Sequence, residues 1–382
     1  MNSYNTGRRF YGLDALRALA MLLGIVLHAS LPYVVFDIPG WASDKSDSEI
    51  ITLIFQFIHL WRMPVFFILS GFFSNLLITR HGWIYWWKNR GLRILLPLII
   101  FSPLMIATIP WIFKYGNTQK FEFFYSFEGY PHHLWFLWHL VIFLIFSFIL
   151  KLYVLIICKI LISIKLIKLI NIFSKSNLYI FKFLFYSKIP IPFILLISIL
   201  SFGESGTDLI SNPILSGMYF MFGYQLFNHN NLESIVRNWK YYSLISVFFF
   251  VLHTLIDIKI IELDFENHPI YWIPFILIKN FNSVFFSLFF ICFFEYKFFK
   301  FNKIFRIFSD SAYWIYLIHL PIVTFITFFM LRFDFPIEFK FILSILSTSL
   351  ISYISYKYLI RTSYIGVLLN GKKQKFSWKI FD

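Results

Sequence analysis

The chain has 382 residues, of which 59% are hydrophobic, 23% aromatic and only 14% charged, with a mean hydropathy of +0.72. That leaves too little polar surface for the two or three water-soluble domains its length would suggest, and 53 Phe, 22 Tyr and 12 Trp exclude a solvated coil. A net charge of +15 would point to nucleic acid only if a soluble domain offered a basic face, and none is available. The two cysteines, Cys158 and Cys292, lie in or beside apolar runs, so no disulfide framework, zinc site or thiol motif is indicated and no metal is expected.

The first apolar run, residues 15–36, lacks a small-residue cleavage site and is long enough to cross a bilayer, so it reads as a span rather than a cleaved signal. Further runs follow at 51–78, 94–113, 133–157, 189–203, 213–227, 241–258, 270–294, 311–331 and 339–360. The pattern predicts an all-α polytopic membrane protein of about ten transmembrane helices, the runs at 189–203 and 213–227 being the shortest. With the N-terminus inside, the inner segments hold 25 of the 34 basic residues and the outer segments 14 of the 19 acids. One alternation accounts for both signs and places both termini in the cytoplasm. Residues 151–188 carry seven lysines among Ile, Leu and Phe. They read either as a helix along the inner membrane surface, lysines toward anionic headgroups, or as a plain basic linker. With no internal repeat and no separate soluble domain, residues 1–382 are expected to form one membrane domain.

Arg17, Arg62 and Lys279 fall within or at the end of spans, where a charge costs ~2.5 to 3.5 kcal/mol at a helix centre and so faces a cavity or a partner. Arg17 and His28 are eleven residues apart, which returns them to nearly one helix face roughly 16 Å apart, with Ala20 and Gly24 between. The strip is either a surface for a thin chain or a small-residue packing seam with a satisfied His. In HLWRMPVFFILSGFF (59–73), His59 and Arg62 sit at the depth His28 reaches. Pro64 and Ser70-Gly71 suit a bent, closely approached helix, and a structural ion pair for Arg62 stays open. WWKNRGLRILLP (86–97) sets Arg90 and Arg93 at i and i+3, either to grip phosphates or to anchor the inner face. HHLWFLWHL (132–140) places His133 and Trp135 at the outer mouth, and SAYWIYLIHLP (311–321) repeats Tyr313, Tyr316 and His319 along one side; aromatic belts explain many such residues without chemistry.

These motifs in order, LDALRA with a His eleven residues after its Arg, RMPVFFILSGFF, Arg-x-x-Arg before ILLP, HLWFLWHL and a Tyr-x-x-Tyr-Leu-x-His-x-Pro-like helix, resemble the integral-membrane acyltransferase family 3, and look closest to its glucan succinyltransferase branch. The resemblance spans residues 8 to about 331, is looser over the ninth span, and lacks the soluble esterase-like domain of some members. It implies an enzyme in the bacterial inner membrane that takes an acyl group, acetyl or succinyl, from cytoplasmic acyl-CoA as co-substrate and places it on a hydroxyl of an envelope carbohydrate. Carried over by position, His28 is the essential histidine, Arg17 its companion, and Arg90 and Arg93 the pair that meets the CoA phosphates. An extended pantetheine arm reaches on the order of 15 to 20 Å, which Arg17 to His28 matches. His28 is then expected as general base, because an imidazole is largely neutral at working pH, with Arg62 stabilising the oxyanion and His59 beside it; an acyl-histidine step stays open. His133, Trp135, Tyr316, His319 and Lys279 are expected to meet substrate. A secondary transporter is the rival class, for which buried Arg, Lys and His would also be expected. Against it, the spans show no repeated pair of interrupted helices and no deep acid to carry a coupling ion.

Overall fold

The computed structural model describes residues 9–186, 188–201, 209–228, 231–262, 272–300 and 303–370. No strand occurs among the described residues, as expected where each segment must satisfy its own backbone N–H and C=O groups away from water. In chain order the helices are α1 (Tyr11–Ser30), α2 (Glu49–Arg90), α3 (Leu96–Thr118), α4 (Trp135–Ser163), α5 (Ile167–Leu184), α6 (Ile191–Leu200), α7 (Pro213–Phe227), α8 (Asn231–Ile235), α9 (Trp239–Glu262), α10 (Trp272–Lys297), α11 (Lys303–Met330), α12 (Ile337–Ser355) and α13 (Tyr364–Asn370).

Seven helical stretches among the described residues are long and apolar enough to cross a bilayer: 11–33, 49–118, 132–163, 231–256, 272–297, 305–330 and 337–360. The 49–118 stretch contains both the second and the third expected spans, because a π turn at Gly91–Leu95 carries the helix onward. Pro64 does not end α2; its one non-helical residue is Gly82, at φ 82°. The expected spans at 189–203 and 213–227 are the ten-residue α6 and the fifteen-residue α7. Asn212 sets the start of α7, its side chain accepting from the N–H groups of Ile214 and Leu215, with Pro213 following. The basic stretch runs on from α4 only as far as Ser163; the chain then turns at Lys165, at φ 58°, and α5 starts afresh. Lys168, Lys175 and Lys182 recur every seven residues on α5, which lines them along one face.

The chain divides into two compact units. One comprises residues 63–91 and 137–293. Its α2 and α7 touch backbone to backbone: a Cβ at Gly71 would land on the Phe220 carbonyl oxygen, and one at Gly223 on the Ile68 carbonyl oxygen. The sequence-based expectation of a close approach at Gly71 is met there. Asn75 reinforces the crossing by donating to the carbonyl of Tyr224 and to Asn228 Oδ1, both at 2.8 Å. Small residues let membrane helices approach this closely, and the dispersion energy of such tight packing replaces the hydrophobic drive that lipid cannot supply.

The other unit comprises residues 9–62, 92–136 and 294–382. Here α1 lies against α11, with Ala15, Ala18, Ala20 and Gly24 buried; α12 and α3 also pack on α11. Ile25, Ala29 and Tyr33 of the first span pack with Ile315 and Val323 of α11 and Phe341 of α12. The loop between α1 and α2 folds back on this core, with Asp44 and Ser48 donating their backbone N–H groups to the carbonyls of Pro32 and Tyr33 at 2.9 Å. Lys340 Nζ meets Asp44 at 2.7 Å, the two side chains only 4% and 6% exposed. Removing one partner of such a buried pair leaves an uncompensated charge, so the pair fixes the loop firmly even where its net contribution to stability is small.

The glycine contacts predict a contrast along α7. Gly223→Leu should abolish the monodisperse folded protein in detergent. Gly217→Ala, whose Cβ would meet only Phe143 at 3.4 Å, should change the melting temperature by no more than about 0.5 kcal/mol allows. Thermal unfolding of both variants by tryptophan fluorescence checks this.

Candidate active site

Five expected residues meet inside the unit of residues 9–62, 92–136 and 294–382. His28 lies two residues before the end of α1, Arg62 comes from α2, His133 from the turn before α4, and Tyr316 and His319 from α11. The ring centres of His28 and His319 are 5.4 Å apart, and those of His133 and His319 5.2 Å. Gly24 makes room for this gathering: a Cβ there would stand 2.5 Å from Arg62 Nη1 and 3.4 Å from His319 Nε2. The guanidinium and the imidazole therefore both lie against the bare stretch of α1 one turn before His28.

Tyr316 fixes two of the imidazoles. Its main-chain carbonyl lies 2.8 Å from His319 Nδ1 and 3.1 Å from His133 Nε2, and its hydroxyl donates back to the His133 carbonyl at 2.9 Å. Pro321, two residues after His319 within α11, removes a backbone donor from this part of the helix. His28 Nδ1, His133 Nδ1 and His319 Nε2 are buried and have no hydrogen-bond partner among the described residues. Buried polar atoms are normally satisfied, so three such nitrogens around one guanidinium mark a place shaped for something other than packing. No group of three or more His, Cys, Asp or Glu among the described residues is arranged to hold a metal ion.

The remaining expected residues lie around or apart from this centre. His59 is exposed on α2 and stacks on Phe55, ring centres 5.3 Å apart. Trp135 is buried at the first position of α4. Arg17 lies nearer the start of α1, with Nη2 3.2 Å from Ser309 Oγ of α11 and 3.3 Å from Asp14. A pocket opens beside it, lined by Arg9, Tyr11, Asp14, Lys300, Arg306 and Ser309 among others. Because Arg17 meets Ser309 and Gly24 meets His319, α1 and α11 run in the same direction. Each carries a histidine about ten residues, or ~15 Å, beyond the pocket. Arg93 lies in the π turn, and its carbonyl accepts from Tyr313 Oη at 2.5 Å, one turn along α11 from Ser309. Arg90 closes α2. Lys279 belongs to the other unit, where His253 of α9 feels its charge.

Sequence reasoning missed Trp41. Its ring lies within 6° of parallel to that of His28 at a centroid separation of 6.1 Å, and it is flanked edge-on by Phe113 and Phe328. A tryptophan in an outer loop reads as an interfacial anchor, and only the folded loop brings it to the histidine.

A family model described as an acyltransferase domain matches residues 10–357. The chain belongs to acyltransferase family 3. Its long apolar helices fit a multi-pass membrane member of that family. Glucans biosynthesis protein C of Salmonella typhi and that of Salmonella typhimurium (strain LT2) are each 36% identical to it over 144 residues, 35% of this chain and 37% of each relative. The protein of the same name from Salmonella paratyphi B matches to the same extent. The chain thus covers 37% of the length of these curated relatives. No solved structure matches it.

The closeness of Arg62 to Gly24 yields a test of the acyltransferase centre. Gly24→Ala should displace the guanidinium and lower the acyl-transfer rate at least tenfold, while Gly217→Ala on α7, whose Cβ would meet only Phe143 at 3.4 Å, should leave the rate within about twofold. Initial rates in membranes of equal protein content measure both.

Proposed function

We propose that this enzyme carries an acyl group, acetyl or succinyl, from cytoplasmic acyl-CoA to a hydroxyl of an envelope carbohydrate on the far side of the bacterial inner membrane. The observation that carries the reading is the meeting of His28 and Arg62 one helix length from a basic pocket. The printed name of the Salmonella relatives supports a glucan as the acceptor, and the basic, lysine-rich inner segments support cytoplasmic termini, with α5 along the inner surface.

In this reading the nucleotide end of the donor stays at the inner face, where Arg17, Arg90 and Arg93 supply guanidinium donors to its phosphates. The pantetheine arm runs from the basic pocket alongside α1 toward His28. At the centre the acceptor hydroxyl attacks the thioester carbonyl carbon and gives its proton to His28. The carbonyl oxygen, now an oxyanion, receives the Arg62 N–H donors in a site that water does not screen. Collapse breaks the carbon–sulfur bond, and the proton on His28 leaves with the thiolate as the free thiol. His133, Trp135, Tyr316 and His319 line the acceptor side, with His59 exposed one turn from Arg62 where an incoming sugar would first meet it.

Membranes supplied with labelled acetyl-CoA or succinyl-CoA test the scheme. Wild-type membranes should transfer label to a glucan fraction. His28→Ala should lose at least a hundredfold in rate, in the range expected for general base catalysis, and undiminished labelling would overturn the assignment. Arg90→Ala with Arg93→Ala should raise KM for the acyl-CoA roughly tenfold or more, the loss expected for charge-assisted hydrogen bonds, with a smaller effect on kcat.

A further inference from the structure

The Tyr316 carbonyl accepts and cannot donate. Both imidazole nitrogens directed at it must therefore carry hydrogen, which places the His319 proton on Nδ1 and the His133 proton on Nε2. His319 Nε2 is left with a lone pair, buried, against Gly24 and with no hydrogen-bond partner among the described residues. Its nearest imidazole on α1 is His28, whose Nδ1 is likewise buried and without a hydrogen bond there. Ring centres 5.4 Å apart leave on the order of 3 Å between facing ring nitrogens once the rings turn toward one another, which is hydrogen-bond range. Catalytic hydrogen bonds are commonly long in the unliganded enzyme and close when substrate is bound.

We propose that His319 is the positioning residue of the reaction: its fixed Nε2 lone pair accepts the ring N–H of His28, holding the other His28 nitrogen unprotonated toward the acceptor hydroxyl. The arrangement follows the logic of a base oriented by a third group, with a second imidazole, itself locked by a backbone carbonyl, in the place a carboxylate takes in serine hydrolases. As the hydroxyl gives its proton to His28, the shared N–H moves toward His319, so the positive charge spreads over two rings. When the carbon–sulfur bond breaks, the proton gained from the hydroxyl passes to the thiolate and the N–H returns to His28. One proton enters the pair and one leaves it. A neutral acceptor suits this place because a carboxylate beside Arg62 would draw the guanidinium away from the oxyanion.

The inference rests on His28 being the base, and two substitutions separate the two ideas. His319→Asn keeps an amide N–H where Nδ1 stood, so the bond to Tyr316 survives while the Nε2 lone pair is lost. His319→Gln places an amide oxygen near Nε2, able to accept from His28 but unable to carry a proton. With labelled succinyl-CoA and glucan, His319→Asn should lower kcat at least a hundredfold at unchanged KM for succinyl-CoA and an unchanged melting temperature. His319→Gln should recover at least tenfold of that loss. The proton inventory of kcat in H2O–D2O mixtures should be bowed in wild type, where two protons move together, and linear in His319→Gln, where one does. Full activity of His319→Asn, or a loss confined to KM or to the melting temperature, overturns the proposal. If His28→Ala is inactive while both His319 variants match wild type, the pairing alone fails; if His28→Ala is active, the reading beneath it fails too. Should His319→Asn prove unstable, the proton inventories of wild type and His319→Gln decide, and equal curvature overturns the pairing.

Discussion

One main-chain carbonyl, that of Tyr316, organises the reactive end of this enzyme. It receives an N–H from His319 on its own helix and another from His133 on a distant segment, while the Tyr316 side chain returns a hydrogen bond to the His133 backbone. In a protein interior such bonds are strengthened by the low dielectric, and an unmade one is correspondingly costly. The start of α4 and the middle of α11 are therefore tied at a fixed distance, and with them the directions of two imidazole lone pairs. Pro321 removes the donor that would have met the neighbouring Leu317 carbonyl, one residue on from that of Tyr316.

The second constraint is the parallel packing of α1 on α11. Buried alanines and Gly24 allow the two backbones close enough for Arg62 to lie between them and against His319. Arg17 and Ser309 tie the same two helices at the other end of the strip. The pair thus acts as a ruler: about ten residues separate a basic, open end from an imidazole-rich buried end, on both helices at once. A donor with charged phosphates at one end and an uncharged reactive thioester at the other fits this layout without moving its charge into the bilayer, which would be costly.

Much of this was legible in the sequence, and the rest was not, for identifiable reasons. Hydropathy located the long helices because lipid imposes a length on each apolar run. It separated the second and third spans but not the way they join, because the π turn at Gly91–Leu95 carries one helical stretch through the glycine and charged residues that ordinarily mark an end. The short runs at 189–203 and 213–227 gave α6 and α7, where Ser201 and Asn212 leave too few residues for a full span. The meeting of His28 with Arg62 followed from counting depth along two consecutive antiparallel spans. The clasp between His133 and Tyr316 joins residues 183 apart, and the Asp44–Lys340 pair joins residues 296 apart. No local pattern reports contacts at such separations, so Trp41, held over His28 by that loop, stayed invisible as well.

The position of Asp44 and Lys340 has a consequence for the chemistry. An enzyme that accepts an alcohol from the outer compartment must keep its reactive end reachable from that side while excluding bulk water, which would compete as the nucleophile. A loop held only by apolar contacts at the membrane surface would open readily, since such loops are drawn from the least stable parts of a fold. Here a nearly fully buried ion pair and two backbone hydrogen bonds hold the loop against the first span, and the loop in turn sets Trp41 across one face of His28. The histidine is thus covered on one side by the apolar face of an indole ring and left part-exposed elsewhere. The cost of burying the Asp44 and Lys340 charges is offset by a fixed wall beside His28, and in the proposed reaction the acceptor would approach along the faces that Trp41 does not cover.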